Sequence, residues 1–300
     1  IHSKIIGTIK EPFIDLIQAI FFKLFGVSWF SYVFHASVFN CLITIFTFFI
    51  LKKFELNNNL SFFYSLCVAI LTYPTVGTPF SDHHTLILCV ISFYFFVLAI
   101  KEKKNIYWFS IPILLGFSFM SKQAPTAYVI LIISFISLAY FFKIKSISNF
   151  FSALSGILVT LIIFFTLLFM AGINFDDFFT QYFLYPKTLG SGRLDWLFPL
   201  EFKRVIWRFK LQYLSIVVLV YLSIKYNLLK KNNFFLDNLI ILGLILFCFV
   251  SIVHQLMTIN AIFIYCLIPV FAGFSNVYAK KYLEKQRLIS IFLISLTLCS

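Results

Sequence analysis

The sequence predicts an all-α, polytopic membrane protein: about ten spans forming a single membrane-embedded domain over residues 1–300. Three observations predict it. Hydrophobic residues make up 61% of the chain and charged residues 12%, roughly half the charged fraction of a soluble domain. Mean hydropathy is +0.98. The apolar residues fall in runs approaching the ~20 residues that cross a bilayer as a helix, and the charges gather between the runs.

The first element, Phe13-Ile-Asp-Leu-Ile-Gln-Ala-Ile-Phe-Phe-Lys-Leu-Phe25, is too short to cross. Asp15, Gln18 and Phe22, at spacings of three and four, leave a mixed polar strip on an apolar helix, the pattern of an interfacial helix on the outer membrane surface. As a clipped span it would place Asp15 and Lys23 at mid-bilayer, where charge is expensive. Gly26 ends the helix, the outer region covers residues 1–28, and Trp29 and Tyr32 sit at headgroup depth as the first full span begins. Spans follow near 29–51, 60–77, 84–100, 106–121, 124–142, 150–172, 209–225, 234–254, 260–279 and from 288. Pro74, Gly77, Pro79 and Pro125 mark the breaks at 77–84 and 121–124 as tight turns. The long outer loop, 173–205, exceeds ordinary connection length. Its Phe178, Phe179, Tyr182, Tyr185, Trp196 and Phe198 argue for a segment folded against the membrane surface rather than disorder. The chain opens on Ile1 and stops at Ser300 inside an apolar run, which reads as a fragment lacking at least one N-terminal span and some C-terminal ones.

Charge placement orients the bundle. Of 24 Lys and Arg, 14 lie in five alternate short loops: Lys52/Lys53, Lys101/Lys103/Lys104, Lys143/Lys145, Lys225/Lys230/Lys231 and Lys280/Lys281/Lys285/Arg287. Those loops are read as cytoplasmic. A net charge of +13 distributed this way is a topology signal, so no nucleic-acid partner is expected, whereas membrane lipids are. The six cysteines lie inside apolar runs with no CxxC pair, which supports neither a disulfide framework nor a zinc site. The 43 Phe beside four Arg partly reflect coding bias and carry little functional weight.

Chemistry must then come from a few polar clusters on the outer side. In Thr78-Pro-Phe-Ser-Asp82-His83-His84, the carboxylate can accept a proton, orient a hydroxyl or help hold a divalent cation, or Ser81 or Asp82 can simply cap a helix. His83 and His84, being adjacent, cannot both face one ligand. In Gly116-Phe-Ser-Phe-Met-Ser-Lys122-Gln123-Ala-Pro125, Lys122 is a point charge suited to phosphate, or a cation snorkelling to headgroups. Lys187, Arg193, Asp195, Glu201, Lys203 and Arg204, with Gly190 and Gly192, form either a flexible phosphate clamp or a basic loop on anionic lipid. Glu11, in Ile9-Lys-Glu-Pro12, is a second carboxylate or a charge complementing the helix dipole. His35, Asn40 and His254 read as interhelical hydrogen-bonders.

Lys10-Glu-Pro-Phe13, then Leu24-Phe-Gly26 entering a span, resembles the "EKPPL … LFG" stretch of the GT-C membrane glycosyltransferases, aminoarabinose-transferase and protein-mannosyltransferase-like branch. Here the charge order is inverted and one Pro is missing. Asp82 matches that family's acidic residue opening a span after the second outer loop, and Gly116 to Gln123 resembles its "GLAFLTKG" hairpin. The resemblance covers about residues 8–145 in order and spacing and rests on hydropathy beyond. It implies sugar transfer from a polyprenyl-phosphate-linked donor to a lipid, glycan or protein acceptor outside the cytoplasm, in a bacterial inner membrane with the site facing the periplasm or outside. In that family an Asp of the first outer loop leads as base, and that loop is largely missing here. The resemblance makes Asp82 and Glu11 supporting catalytic carboxylates and Lys122 a contact to carrier phosphate; Gln123, flanking Lys122, is placed in the same phosphate-binding set. Lys187 and Arg193 join the phosphate-binding set on charge and side alone. No cofactor is certain, with a divalent cation a candidate. A flippase or transporter would show midplane charges and paired repeats, and a polysaccharide polymerase or ligase would share the long outer loop.

Overall fold

The computed structural model describes residues 12–73, 77–170, 172–185, 187–188, 192, 195, 198, 200–228, 234–258, 262–284 and 286–300. Among these no strand occurs. Helix α1 (Pro12–Phe25) is followed by α2 (Trp29–Lys53), α3 (Asn58–Thr72), α4 (Ser81–Glu102), α5 (Asn105–Ser121), α6 (Gln123–Ile144) and α7 (Ile147–Met170). A short α8 (Phe175–Phe179) runs into a π-helical turn, Thr180–Leu184, and a second π turn, Lys203–Trp207, precedes α9 (Lys210–Leu228). Then come α10 (Phe235–Thr258), a 3-10 turn at Ile262–Ile264, α11 (Leu267–Tyr282) and α12 (Gln286–Leu298).

Local chemistry starts several helices. Ser28 and Asn57, both in extended conformation, accept from the amides of Ser31 and Leu60 at the heads of α2 and α3, and Asn174 does the same for Asp176 in α8. Helix α1 lies against α2 and α5 with Ile14 and Gln18 buried. Partial desolvation pushes its Asp15 carboxyl above the ordinary carboxylate value.

A helix stands at each of the ten expected spans, but the expected count of ten crossings is corrected. Five helices, α2, α4, α6, α7 and α10, are long and apolar enough to cross a membrane. α3, α5 and α12 are shorter apolar helices, and α11, with 16 residues, is buried along almost its whole length with Ser275 and Asn276 inside. An apolar run signals burial in lipid or in protein alike, and these shorter helices draw their stability from neighbours as well as from lipid.

Helix α4 is the centre of the bundle, buried through nearly all its turns and packed against α2, α5, α6 and α10. α7 is at the periphery, exposing Phe151, Leu158, Ile162, Phe165 and Phe169. Such a face suits hydrocarbon, and a helix, which pairs its backbone groups internally, can present it to lipid. α7 reaches α5 by a close crossing at Gly116 and Gly156: a Cβ on Gly156 would stand 2.2 Å from the Phe109 carbonyl oxygen, and one on Gly116 2.3 Å from the Thr160 methyl. A rotating methyl can yield and a backbone carbonyl cannot. Gly156→Ala is therefore expected to cost about 1–3 kcal/mol, read as a lowered thermal midpoint in detergent. An unchanged midpoint would refute the close packing.

The basic helix ends meet at one end of the bundle. Lys53 and Lys104 pair with Glu102 at 2.7 and 2.9 Å, Lys280 donates to the Glu55 carbonyl at 2.9 Å, and Lys281 pairs with Asp237 at 2.5 Å. The polar clusters at Asp82 and Lys122 occupy the other end, as the alternation of loops requires.

Candidate functional site

Helix α4 begins after Phe80, which is extended and provides no side-chain cap. Asp82 therefore does not serve as the N-cap that its position allowed. Its carboxylate turns sideways to the α5–α6 hairpin, where Lys122 ends α5 in extended conformation (φ −163°, ψ 132°). Lys122 Nζ donates to both Asp82 oxygens at 2.6 Å. The ammonium is thus engaged inside the bundle rather than snorkelling to headgroups. On the other side of the carboxylate, His254 Nε2 of α10 stands 3.6 Å from Asp82 Oδ1. The Asp82 side chain is 12% exposed, Lys122 25% and His254 2%.

Next to the pair, Asp82, Leu86, Pro125, Ser251, His254, Gln255, Phe263 and Ile264 line a cleft of about 10 Å³, the room of one water molecule. Phe263 roofs it, stacked on Phe80 with centroids 5.3 Å apart. A second hollow has a different character: an apolar groove of about 530 Å³ between α5, α6 and α7, lined by residues such as Leu115, Phe119, Ile133, Leu138 and Ile157. It reaches Phe119, one turn before Lys122.

Gln123 faces neither the carboxylate nor the cleft. Its amide donates to the Tyr182 carbonyl, and the Tyr182 hydroxyl donates to the Phe119 carbonyl. With Phe178 at 1% and Tyr182 at 3% exposure, these contacts fasten α8 and its π turn onto the hairpin. The described start of the outer loop is accordingly helical and docked on protein. Lys187 is exposed and makes no ion pair among the described residues. Glu11 and Arg193 lie outside the described residues.

The cations that come nearest the centre are later in the loop. Arg204 Nη2 donates to the Leu256 carbonyl at 2.9 Å, two residues past His254. Lys203, Arg204 and Arg208 share a hollow of about 350 Å³ with Glu201 and Trp207. His254 was legible in the sequence as a hydrogen-bonding residue at the end of a span, but nothing local marks it as a neighbour of Asp82. His35 and Asn40 do bond between helices, His35 to Gln18 and His84, and Asn40 to the Ala69 carbonyl at 2.9 Å. Among the described residues, no group of three or more His, Cys, Asp or Glu is placed to hold a metal ion.

A carboxylate and an ammonium held together at the mouth of an apolar bundle can orient and deprotonate a hydroxyl and counter an anion. Residues 10–170 match the family model described as dolichyl-phosphate-mannose-protein mannosyltransferase, a stretch that contains both Asp82 and Lys122. Comparison with curated proteins and with solved structures gives no match.

Proposed function

Since the chain belongs to the dolichyl-phosphate-mannose-protein mannosyltransferase family, a family of membrane glycosyltransferases, we propose that it moves a sugar from a polyprenyl-phosphate carrier to an acceptor hydroxyl on the non-cytoplasmic side, at the Asp82–Lys122 centre. The observation that carries this reading is the two-oxygen contact between Asp82 and Lys122 at the end of the bundle opposite the Lys-rich helix ends. In the reaction the acceptor oxygen attacks the anomeric carbon as the bond from that carbon to phosphate oxygen breaks. The hydroxyl proton passes to a carboxylate, for which Asp82 is the described candidate and Glu11 a second. The departing polyprenyl phosphate gains negative charge, which Lys122 is placed to counter. Lys203 and Arg204, already named in the basic cluster with Lys187 and Arg193, and Arg208 beside them supply further positive charge from the loop side. The apolar groove beside Phe119 offers the carrier's hydrocarbon a path along α5. The acceptor is a lipid, glycan or protein hydroxyl, and a bacterial inner membrane with the site facing the periplasm fits the charge asymmetry of the loops.

The test is direct transfer. Full-length protein in proteoliposomes, given polyprenyl-phosphate mannose radiolabelled in the sugar, is expected to release polyprenyl phosphate and label an added lipid, glycan or peptide acceptor. Translocation of the intact lipid-linked sugar across the bilayer without cleavage would overturn the reading in favour of a flippase.

A further inference from the structure

The interfacial helix is joined to the reacting end of the bundle through a buried chain of side chains. Gln18 Oε1 of α1 lies 2.8 Å from His35 Nδ1 of α2, His35 Nε2 lies 2.9 Å from His84 Nε2 of α4, and His84 Nδ1 lies 3.2 Å from the Phe80 carbonyl oxygen. Both imidazoles are fully buried, and the Phe21 ring of α1 stacks on His35 with centroids 4.9 Å apart.

The carbonyl sets the direction of every bond. It can only accept, so His84 Nδ1 carries a hydrogen. A neutral His84 then offers a lone pair at Nε2, and His35 Nε2 must carry the hydrogen between the rings. His35 Nδ1 is left as an acceptor and needs a donor from Gln18. A half-turn of the Gln18 amide, which exchanges atoms alike in shape, supplies that donor. It also moves Gln18 Nε2 out of a buried place that has no partner, and the amide oxygen takes that place. Two buried imidazoles thus stay neutral with all their hydrogen-bonding groups satisfied, the arrangement of least cost in an apolar interior.

This chain grips the same helical turn that carries Asp82. Residues two apart on a helix point to nearly opposite sides, so His84 faces α2 while Asp82 faces Lys122 and His254. The turn has no side-chain cap of its own. Its position is set by partners on two faces: Lys122 and His254 on one, His35 and through it Gln18 on the other.

We propose that Gln18, His35 and His84 are positioning residues of the transfer reaction: their hydrogen-bond chain couples the seating of the interfacial helix to the placement of the Asp82 carboxylate. The proposal rests on the reading of Asp82–Lys122 as the reacting centre. An acceptor or partner that displaces α1 would reach the carboxylate through this chain without touching it.

The test uses full-length protein in lipid nanodiscs with two readouts, hydrogen exchange of the α1 amides and transfer kinetics. His35→Phe keeps the ring and its stacking but removes both hydrogen bonds, and Gln18→Leu cuts the chain at its other end. His35→Gln keeps one donor and one acceptor. Both disrupting variants are expected to exchange about tenfold faster over α1 and to lose about tenfold in kcat with little change in donor KM, which is about 1.4 kcal/mol in barrier. His35→Gln is expected to recover much of each loss. Unchanged α1 exchange in both disrupting variants would overturn the tether. Faster exchange with wild-type kcat would overturn the coupling. If Asp82→Asn, run alongside, keeps wild-type kcat, the reading of the reacting centre fails and the coupling falls with it, while the exchange data still decide the tether.

Discussion

Asp82→Asn in the full-length protein is expected to lower sugar transfer by about two orders of magnitude, the usual worth of a positioned acid or base. The substitution is nearly isosteric. Asn retains an oxygen to accept from Lys122, and α4 needs no cap from this side chain because none is made. What disappears is the negative charge that can take a proton. The loss should fall on kcat, with protein level and helical content at wild-type values. Transfer within twofold of wild type would reduce Asp82 to an anchor for Lys122.

Lys122→Ala is expected to have the second large effect, and it should strike twice. Losing a cation aimed at the leaving phosphate costs about 10²–10³ in rate where such groups have been removed from enzyme sites. It also strands a carboxylate that is 12% exposed, a change that destabilises by up to about 3–5 kcal/mol when the partner is fully buried and by less here, since Lys122 is one-quarter exposed. The two losses separate in the exchanged pair, Asp82→Lys with Lys122→Asp. Exchange should restore much of the thermal midpoint and none of the transfer. Recovery of transfer in that variant would show the pair to be a structural bridge.

The helices were readable because length and hydropathy are local properties: each expected span has its helix, and a helix stands over Asp15, Gln18 and Phe22, although Gln18 of that polar strip turns into the bundle to meet His35. The number of crossings was not readable, since the short helices, α11 buried almost throughout and α3 and α5 only in part, carry the same apolar signature as a lipid-facing run. Asp82 and Lys122 stood out as the charges at two adjacent turns. Their partner His254 comes from α10, far along the chain, and the meeting of His35 with His84 joins two separate spans. Such encounters depend on how helices cross, and no spacing within a single segment records them. Gln123 shows the converse: its position beside Lys122 suggested a shared ligand, yet the backbone turn directs it to Tyr182. Gly116 was visible as part of a hairpin motif, but its tight meeting with Thr160 of α7 is a property of the crossing.

The two-oxygen grip of Lys122 on Asp82 has a consequence for the order of events. Both carboxylate oxygens are on one ammonium, and the cleft beside them has room for a single water. On the proposed reading, a lipid phosphate arriving at Lys122 meets an ammonium that already gives two of its three hydrogens to Asp82. It would compete with the carboxylate for that charge, and the more the ammonium turned to the donor, the freer the base would become. Loading of the donor and release of the base would then be two sides of one exchange of partners.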